Sequence, residues 1–176
     1  MNKTIRLGQL AGLKMMAKGN VIVAWLILWL VFAGGALWLF DLPLGTAVLA
    51  GFLAAILHYL FELWHCLSHA LVARRTGYPM SAIAYRWVLG GTLYPRDEPE
   101  LPAAVHIKRA LGGPIGSLLL ALLLGAVSLG LRPSGGLLYG LAMYGFWSNL
   151  LFFTLGALLP LGFTDGSTIL RYWGKA

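Results

Sequence analysis

Charge is what this sequence has least of. Asp, Glu, Lys and Arg make up 11% of its 176 residues, against roughly 25% in an average soluble domain. Long uncharged runs between those charges exclude an ordinary soluble protein and point to an integral membrane protein. Cysteine is nearly absent: the lone Cys66 excludes an internal disulfide and says little about compartment. Acids are few, 6 against 13 Lys and Arg, for a net charge of +7. In a soluble chain that balance would suggest nucleic acid. Here the basic residues cluster between apolar runs and read as topology determinants, so no nucleic-acid partner is expected. The length allows one compact membrane domain and no sizeable soluble one.

What is present divides into four apolar stretches and their connections. Residues 1–20 carry Lys3, Arg6, Lys14 and Lys18 and no acid. Leu7, Leu10, Leu13 and Met16 could form an amphipathic stripe on anionic lipid, and a positive-inside flank accounts for the same residues. Residues 21–45 hold a first transmembrane helix, Val21–Phe40, and a turn at Pro43. The helix resembles a signal peptide, but the Ala-Gly-Gly-Ala stretch near residue 35 leads back into Leu-Trp-Leu-Phe without a polar cleavage region. A second helix is expected over Thr46–Val72, closed by Arg74 and Arg75. The polar connection Thr76–His106 contains a hairpin signal, Ser81–Leu89 and Thr92–Tyr94 around Gly90-Gly91. Pro95, Pro99 and Pro102, with Asp97, Glu98 and Glu100, then read as an exposed loop. Third and fourth helices are expected over Ala110–Leu131 and Leu137–Leu161. The core runs over residues 46–170, and residues 171–176 form the tail.

The second helix carries His58, Glu62, His65 and His69 at i, i+4, i+7 and i+11, one narrow stripe. His65 and His69 at i and i+4 can present two imidazole nitrogens to one metal ion. With the N-terminus cytoplasmic, twelve of the 13 Lys and Arg fall on the cytoplasmic side and only Arg132 lies outside. The positive-inside rule thus favours four helices with both termini in the cytoplasm. The second and fourth helices then end in the same leaflet, which brings Asp165, just after the fourth, to the depth of the histidine pair. Two histidines and a carboxylate suit a three-ligand zinc site with a fourth position open.

These residues resemble the site-2 protease family of intramembrane zinc metalloproteases. His65-Cys66-Leu67-Ser68-His69-Ala70 through Gly77 is similar to the family's H-E-x-G-H-A-x-x-A-x-x-x-G. Gly113-Pro114-Ile115-Gly116-Ser117 is similar to G-P-x-x-N, and Leu158-Leu159-Pro160 with Asp165-Gly166 to N-L-L-P-x-x-P-L-D-G. The resemblance implies Zn²⁺ held by His65, His69 and Asp165. It also implies a three-helix catalytic core with the first helix additional, so that the expected fold is an all-α membrane protein to which the hairpin signal adds a small cytoplasmic β-hairpin. Partners would be the lipid bilayer and transmembrane or juxtamembrane segments of another membrane protein. A bacterial inner membrane suits so compact a chain, and nothing sets its oligomeric state.

The departures from the family pattern fall on the chemistry. Cys66 stands at the general-base glutamate, Ser117 and Ala157 at two asparagines that help hold substrate, and Phe163-Thr164 at the Pro-Leu before the aspartate. A thiol is shorter than a carboxylate and beside Zn²⁺ competes for the metal rather than shuttling protons. General acid–base help is worth roughly 10²–10⁴-fold, so the expectation is a metal site kept without ordinary peptidase chemistry. Glu62, one turn before His65, is the alternative base. It could instead orient His65 by accepting its second N–H. His58 reads as a hydrogen-bonded interior residue, His106 as a solvated one, and Asn149 as a bond across the bundle or a substrate support. A reading of another class, a haem- or metal-handling helix bundle, has no use for Asp165-Gly166.

Overall fold

Apolar residues on every side leave a helix no preferred face to bury in water, and the four apolar stretches form helices of membrane length. The computed structural model describes residues 4–175, so Lys3 lies outside the described residues. Its helices are α1 (Asn20–Leu39), α2 (Leu44–Arg75), α3 (Ala103–Leu131) and α4 (Gly136–Ser148). A π-helical segment, Asn149–Gly156, continues α4. Among the described residues, four helices are long and apolar enough to cross a bilayer, the last being Gly136–Gly156. The chain is an integral membrane protein.

α1 and α2 form an antiparallel pair in contact along most of α1. The Trp29 indole donates to the Val48 carbonyl at 3.0 Å and the Tyr59 hydroxyl to that of Val21 at 3.4 Å. Trp25 and Trp29 pack on Phe52. Gly51 permits the approach, since a Cβ there would lie 2.7 Å from Ala33 Cα and Cβ. This register fixes depth. At ~1.5 Å per residue, α1 with 20 residues is as long as a hydrocarbon core of ~30 Å. α2 has 32 residues and overshoots it at the Arg74–Arg75 end. His65 and His69, six and ten residues past Tyr59, therefore lie beyond the level at which α1 begins.

The connections depart from the sequence expectation. Residues expected to form an amphipathic stripe or a positive-inside flank make a β-hairpin, β1 (Thr4–Leu10) and β2 (Leu13–Lys18). Its turn places Ala11 and Gly12 at φ 51° and 82°, as a two-residue hairpin turn demands. Alternation in Leu13-Lys14-Met15-Met16-Ala17 then sends Leu13, Met15 and Ala17 into an apolar core. β2 pairs in parallel with β3 (Ala82–Arg86), which pairs antiparallel with β4 (Leu89–Leu93), giving one sheet in the order β1-β2-β3-β4. The second hairpin turns at Trp87-Val88, and Gly90-Gly91 lie inside β4. Trp87 tolerates φ 55° because the Tyr59 hydroxyl holds its carbonyl at 2.7 Å.

α3 begins at Ala103, seven residues earlier than expected. The fourth crossing is also broken. Pro160 cannot continue a helix, and the irregular run ends where α5 (Asp165–Tyr172) starts. Thr164 and Ser167 replace the lost helical partners: the Leu161 and Gly162 amides donate to their hydroxyls, and Thr164 donates to the Leu159 carbonyl. α5 runs back along α3, with Tyr172 stacked on His106 at 4.1 Å and 7°. Because α1 meets α2 so closely at one glycine, Gly51→Leu should cost about 1–3 kcal/mol through overpacking. The check is a lower melting temperature of the detergent-purified protein, with the exposed Leu49→Ala as a near-neutral control.

Candidate functional site

His65 and His69 face the same side of α2 with their Nε2 atoms 3.0 Å apart. Asp165, the first residue of α5, brings Oδ2 to 3.3 Å from each. Among the described residues these three form a group whose ligand atoms all lie within 4.8 Å of one another. Gly166 permits the aspartate's position, because α5 starts against the Leu158 carbonyl and a Cβ there would lie 3.0 Å from Leu158 Cα. Thr164, extended at φ −92° and ψ 168°, turns the chain into that helix.

The far side of each imidazole is also held. His69 Nδ1 lies 2.7 Å from the Arg109 carbonyl; a carbonyl only accepts, so Nδ1 carries the proton and Nε2 a lone pair. His65 Nδ1 lies 3.0 Å from Ser117 Oγ. Both partners come from α3, which approaches α2 along Gly112, Gly113 and Gly116; at Gly113 a Cβ would sit 2.6 Å from His65 Cε1. Next to it Pro114 lacks the N–H that would close a helical bond to Ala110. Glu62 therefore does not orient His65; Ser117 does.

Two neutral imidazole nitrogens and a carboxylate oxygen pointed at one spot repel one another unless a cation lies among them. Tetrahedral coordination with bonds of ~2.0–2.1 Å separates ligand atoms by about 3.3 Å, the spacing seen for both His–Asp pairs. The donor set fits a divalent metal such as zinc.

Cys66 belongs elsewhere. Its side chain is 1% exposed and packs in the apolar core between α2 and the sheet, with Leu13, Ile83 and Tyr85. Its Sγ lies 3.9 Å from Glu62 Oε1, which accepts the Gly90 N–H at 2.7 Å. A Cβ on Gly90 would be 3.0 Å from both Cys66 Sγ and Glu62 Oε1, so β4 lies directly on this pair. Both residues and the three candidate ligands line one cavity of about 500 Å³ between α1, α2, the β3–β4 hairpin and the fourth crossing.

Other expected roles shift. His58 Nε2 meets the Val88 carbonyl at 2.8 Å, an interior hydrogen bond as expected. His106 is not merely solvated but stacked on Tyr172. Asn149, fully buried, bonds not across the bundle but to Gly145 of its own helix, leaving Oδ1 without a partner. Ser117 and the Arg109 carbonyl were not legible as imidazole partners. The Gly-Pro pair beside them was the available signal, since it marks where α3 exposes backbone.

Four membrane-length helices, a small sheet packed on the second and a His-His-Asp cluster between the second, third and last helices define a class. It is the site-2-protease-like fold. Among solved structures the chain is similar to the Site-2 Protease from Methanocaldococcus jannaschii, at 22% identity and a TM-score of 0.62, over 96% of this chain and 70% of that one. The sequence matches no family model and no curated protein. At this identity the likeness is one of fold.

One ion pair ties the site to the loop before α3. The buried Arg109 guanidinium donates to both Glu98 oxygens and to the Tyr78 carbonyl, and lies 4.1 Å from the Tyr94 ring centroid. The Arg109 hydrogen bonds hold the Glu98 carboxyl below its ordinary value. The pair's contribution to stability is then complete above the free Glu pKa of about 4.3 and is lost as pH falls through the lower folded value. Between about pH 5 and pH 3 the melting temperature of the unmutated protein should fall further than that of Glu98→Gln, which has less to lose.

Proposed function

We propose that this chain is a divergent site-2-protease-like membrane protein that holds zinc near the cytoplasmic leaflet and is impaired or inactive as a protease. On this reading it binds transmembrane or juxtamembrane segments of another membrane protein. The supporting observation is a contrast at one turn of α2: its two histidines converge with Asp165 of α5 at metal-ligand spacing while Cys66, between them in sequence, is a thiol buried in the core. His65, His69 and Asp165 would hold the ion, with Ser117 and the Arg109 carbonyl orienting the imidazoles. Zinc in such a site polarises a carbonyl and makes a bound water acidic. The chain's own task would be to take up that proton, and Cys66, turned into the packing between α2 and β4, is not placed to do so.

A second reading rests on Glu62. Its carboxylate lines the same cavity and reaches to 3.9 Å from the Cys66 sulfur, so it is the candidate for a displaced base. Its bond to Gly90 opposes this, since it commits one oxygen to β4. Both termini and twelve of 13 basic residues on the cytoplasmic side remain the orientation that charge favours, in a membrane we take to be a bacterial inner membrane.

Metal content of the detergent-purified protein tests the site. We expect near-stoichiometric zinc in the unmutated chain and its loss from both His65→Ala and Asp165→Ala. No zinc in the unmutated chain, under conditions that load an active site-2 protease, would overturn the zinc reading. Cleavage of a transmembrane peptide tests the base. Cys66→Glu should raise an undetectable rate, and Cys66→Glu with Glu62→Gln should raise it further by separating the new carboxylate from a like charge, within the roughly 10²–10⁴-fold range of general acid–base help. Native cleavage abolished by Glu62→Gln with zinc retained would instead establish the displaced base.

A further inference from the structure

The cavity beside the site carries a hydroxyl that the protein itself does not use. Tyr144 of α4 lines the cavity, and its hydroxyl is buried without a hydrogen-bond partner. The ring is fixed from two sides, its centroid 5.2 Å from that of Phe32 on α1 and 6.2 Å from that of Phe61 on α2. Phe61 stands one turn before His65, and Phe32 twelve residues after the start of α1. Tyr144 therefore lies on the hydrocarbon side of the candidate ligands. An unpaired hydroxyl is costly there, and phenylalanine would fill the same space without that cost. Two further groups on the cavity wall are uncharged and polar. Ser148, one turn after Tyr144 on α4, is buried. His58 donates from Nε2 to the Val88 carbonyl, which leaves a lone pair on Nδ1. Glu62 differs from these, since one of its oxygens is committed to Gly90.

Two hydroxyls that each donate and accept suit a neutral group that does the same. A carboxamide is the best match, because its NH₂ donates while its oxygen accepts. A carboxylate offers no donor and an ammonium no acceptor, and either brings a charge into the hydrocarbon at high cost. The cavity is continuous with the lipid-facing surface, for Phe152 lines it yet is 71% exposed. A group that enters from that side at this depth is carried by a chain that itself crosses the bilayer. We infer that Tyr144 and Ser148 form a subsite for the carboxamide side chain of an Asn or Gln in a bound transmembrane segment. The class of partner rests on the proposed function. The subsite adds what selects among such partners: a polar residue in the segment's cytoplasmic half, deeper than the point that meets His65 and His69. A side chain reaches the two hydroxyls from a helical or from an extended segment, so the assignment does not depend on which is bound, nor on the metal.

The test is binding of synthetic transmembrane peptides in phosphatidylethanolamine–phosphatidylglycerol vesicles, read by Förster transfer between a dye on the peptide and one on the protein. Each peptide is leucine-rich and carries a single Gln at one of four successive positions in its cytoplasmic half. Its control has Met at the same position, close to Gln in size and helix propensity, so that a preference reports hydrogen bonding rather than helix breaking. The unmutated protein should prefer the best-placed Gln peptide to its Met control about three- to tenfold. Tyr144→Phe should remove most of that preference by weakening the Gln peptide alone, and Ser148→Ala should reduce it. The melting temperature of detergent-purified Tyr144→Phe should stay level or rise, because the hydroxyl it deletes has no partner in the free protein. Equal binding of Gln and Met peptides overturns the subsite and leaves the proposed function standing; binding of neither overturns both. A preference that survives in both variants, an equal loss for both peptides in Tyr144→Phe, or a lower melting temperature of that variant also overturns the subsite, the last by showing the hydroxyl to be structural.

Discussion

Three electron-pair donors aimed at one point are the constraint on which the rest of this structure turns. His65, His69 and Asp165 come from helices separated by about a hundred residues, and nothing in their mutual electrostatics draws them together when the imidazoles are neutral. What holds them is packing and hydrogen bonding behind them. α3 meets α2 where Gly113 has no side chain to interpose, and there its Ser117 hydroxyl and Arg109 carbonyl fix the two rings. Arg109 is fixed in turn by Glu98, Tyr78 and Tyr94. A buried arrangement of donors maintained against its own repulsion by so many neighbours makes physical sense around a cation.

The same packing explains why Cys66 does not resemble a damaged base. In the interior a thiol behaves as a small apolar group, and here it fills space between α2 and a sheet edge that a longer side chain would push away. Glu62 one turn earlier provides the carboxylate in this part of the cavity, but it serves the β4 backbone at Gly90. The two positions and Gly90 act as a unit: sheet, helix and carboxylate are packed to one another's size. Restoring glutamate at position 66 alone therefore adds a like charge to a space already occupied, whatever the metal does.

Much of this was legible in the residues because it depends on short-range rules. Hydrophobic length places the four crossings, and the i, i+4 spacing of His65 and His69 fixes their common face. Chain order and charge then bring Asp165 to the same depth. What was not legible depends on partners distant in sequence. β1 and β2 read as a flank because basic residues without an acid precede the first crossing, and only the parallel pairing of β2 with β3 makes their alternation matter. Gly90-Gly91 look like a turn by composition, yet they lie within β4, and Gly90 leaves room for Glu62 and Cys66 beneath it. Ser117 reads as a lost asparagine until it is seen against His65.

Depth ties these points to function. α1 is only as long as the hydrocarbon core, so the register of Val21 with Tyr59 sets the level of the leaflet border along α2. Measured from there, the candidate ligands stand on the polar side and the inner cavity on the apolar side. A break in the fourth crossing at this level is tolerable because the Thr164 and Ser167 hydroxyls take up its freed backbone groups. The architecture thus separates two environments along one helix: a polar end built to hold charge, and a largely apolar end beneath it. Whatever polar group reaches His65 and His69 arrives from the border.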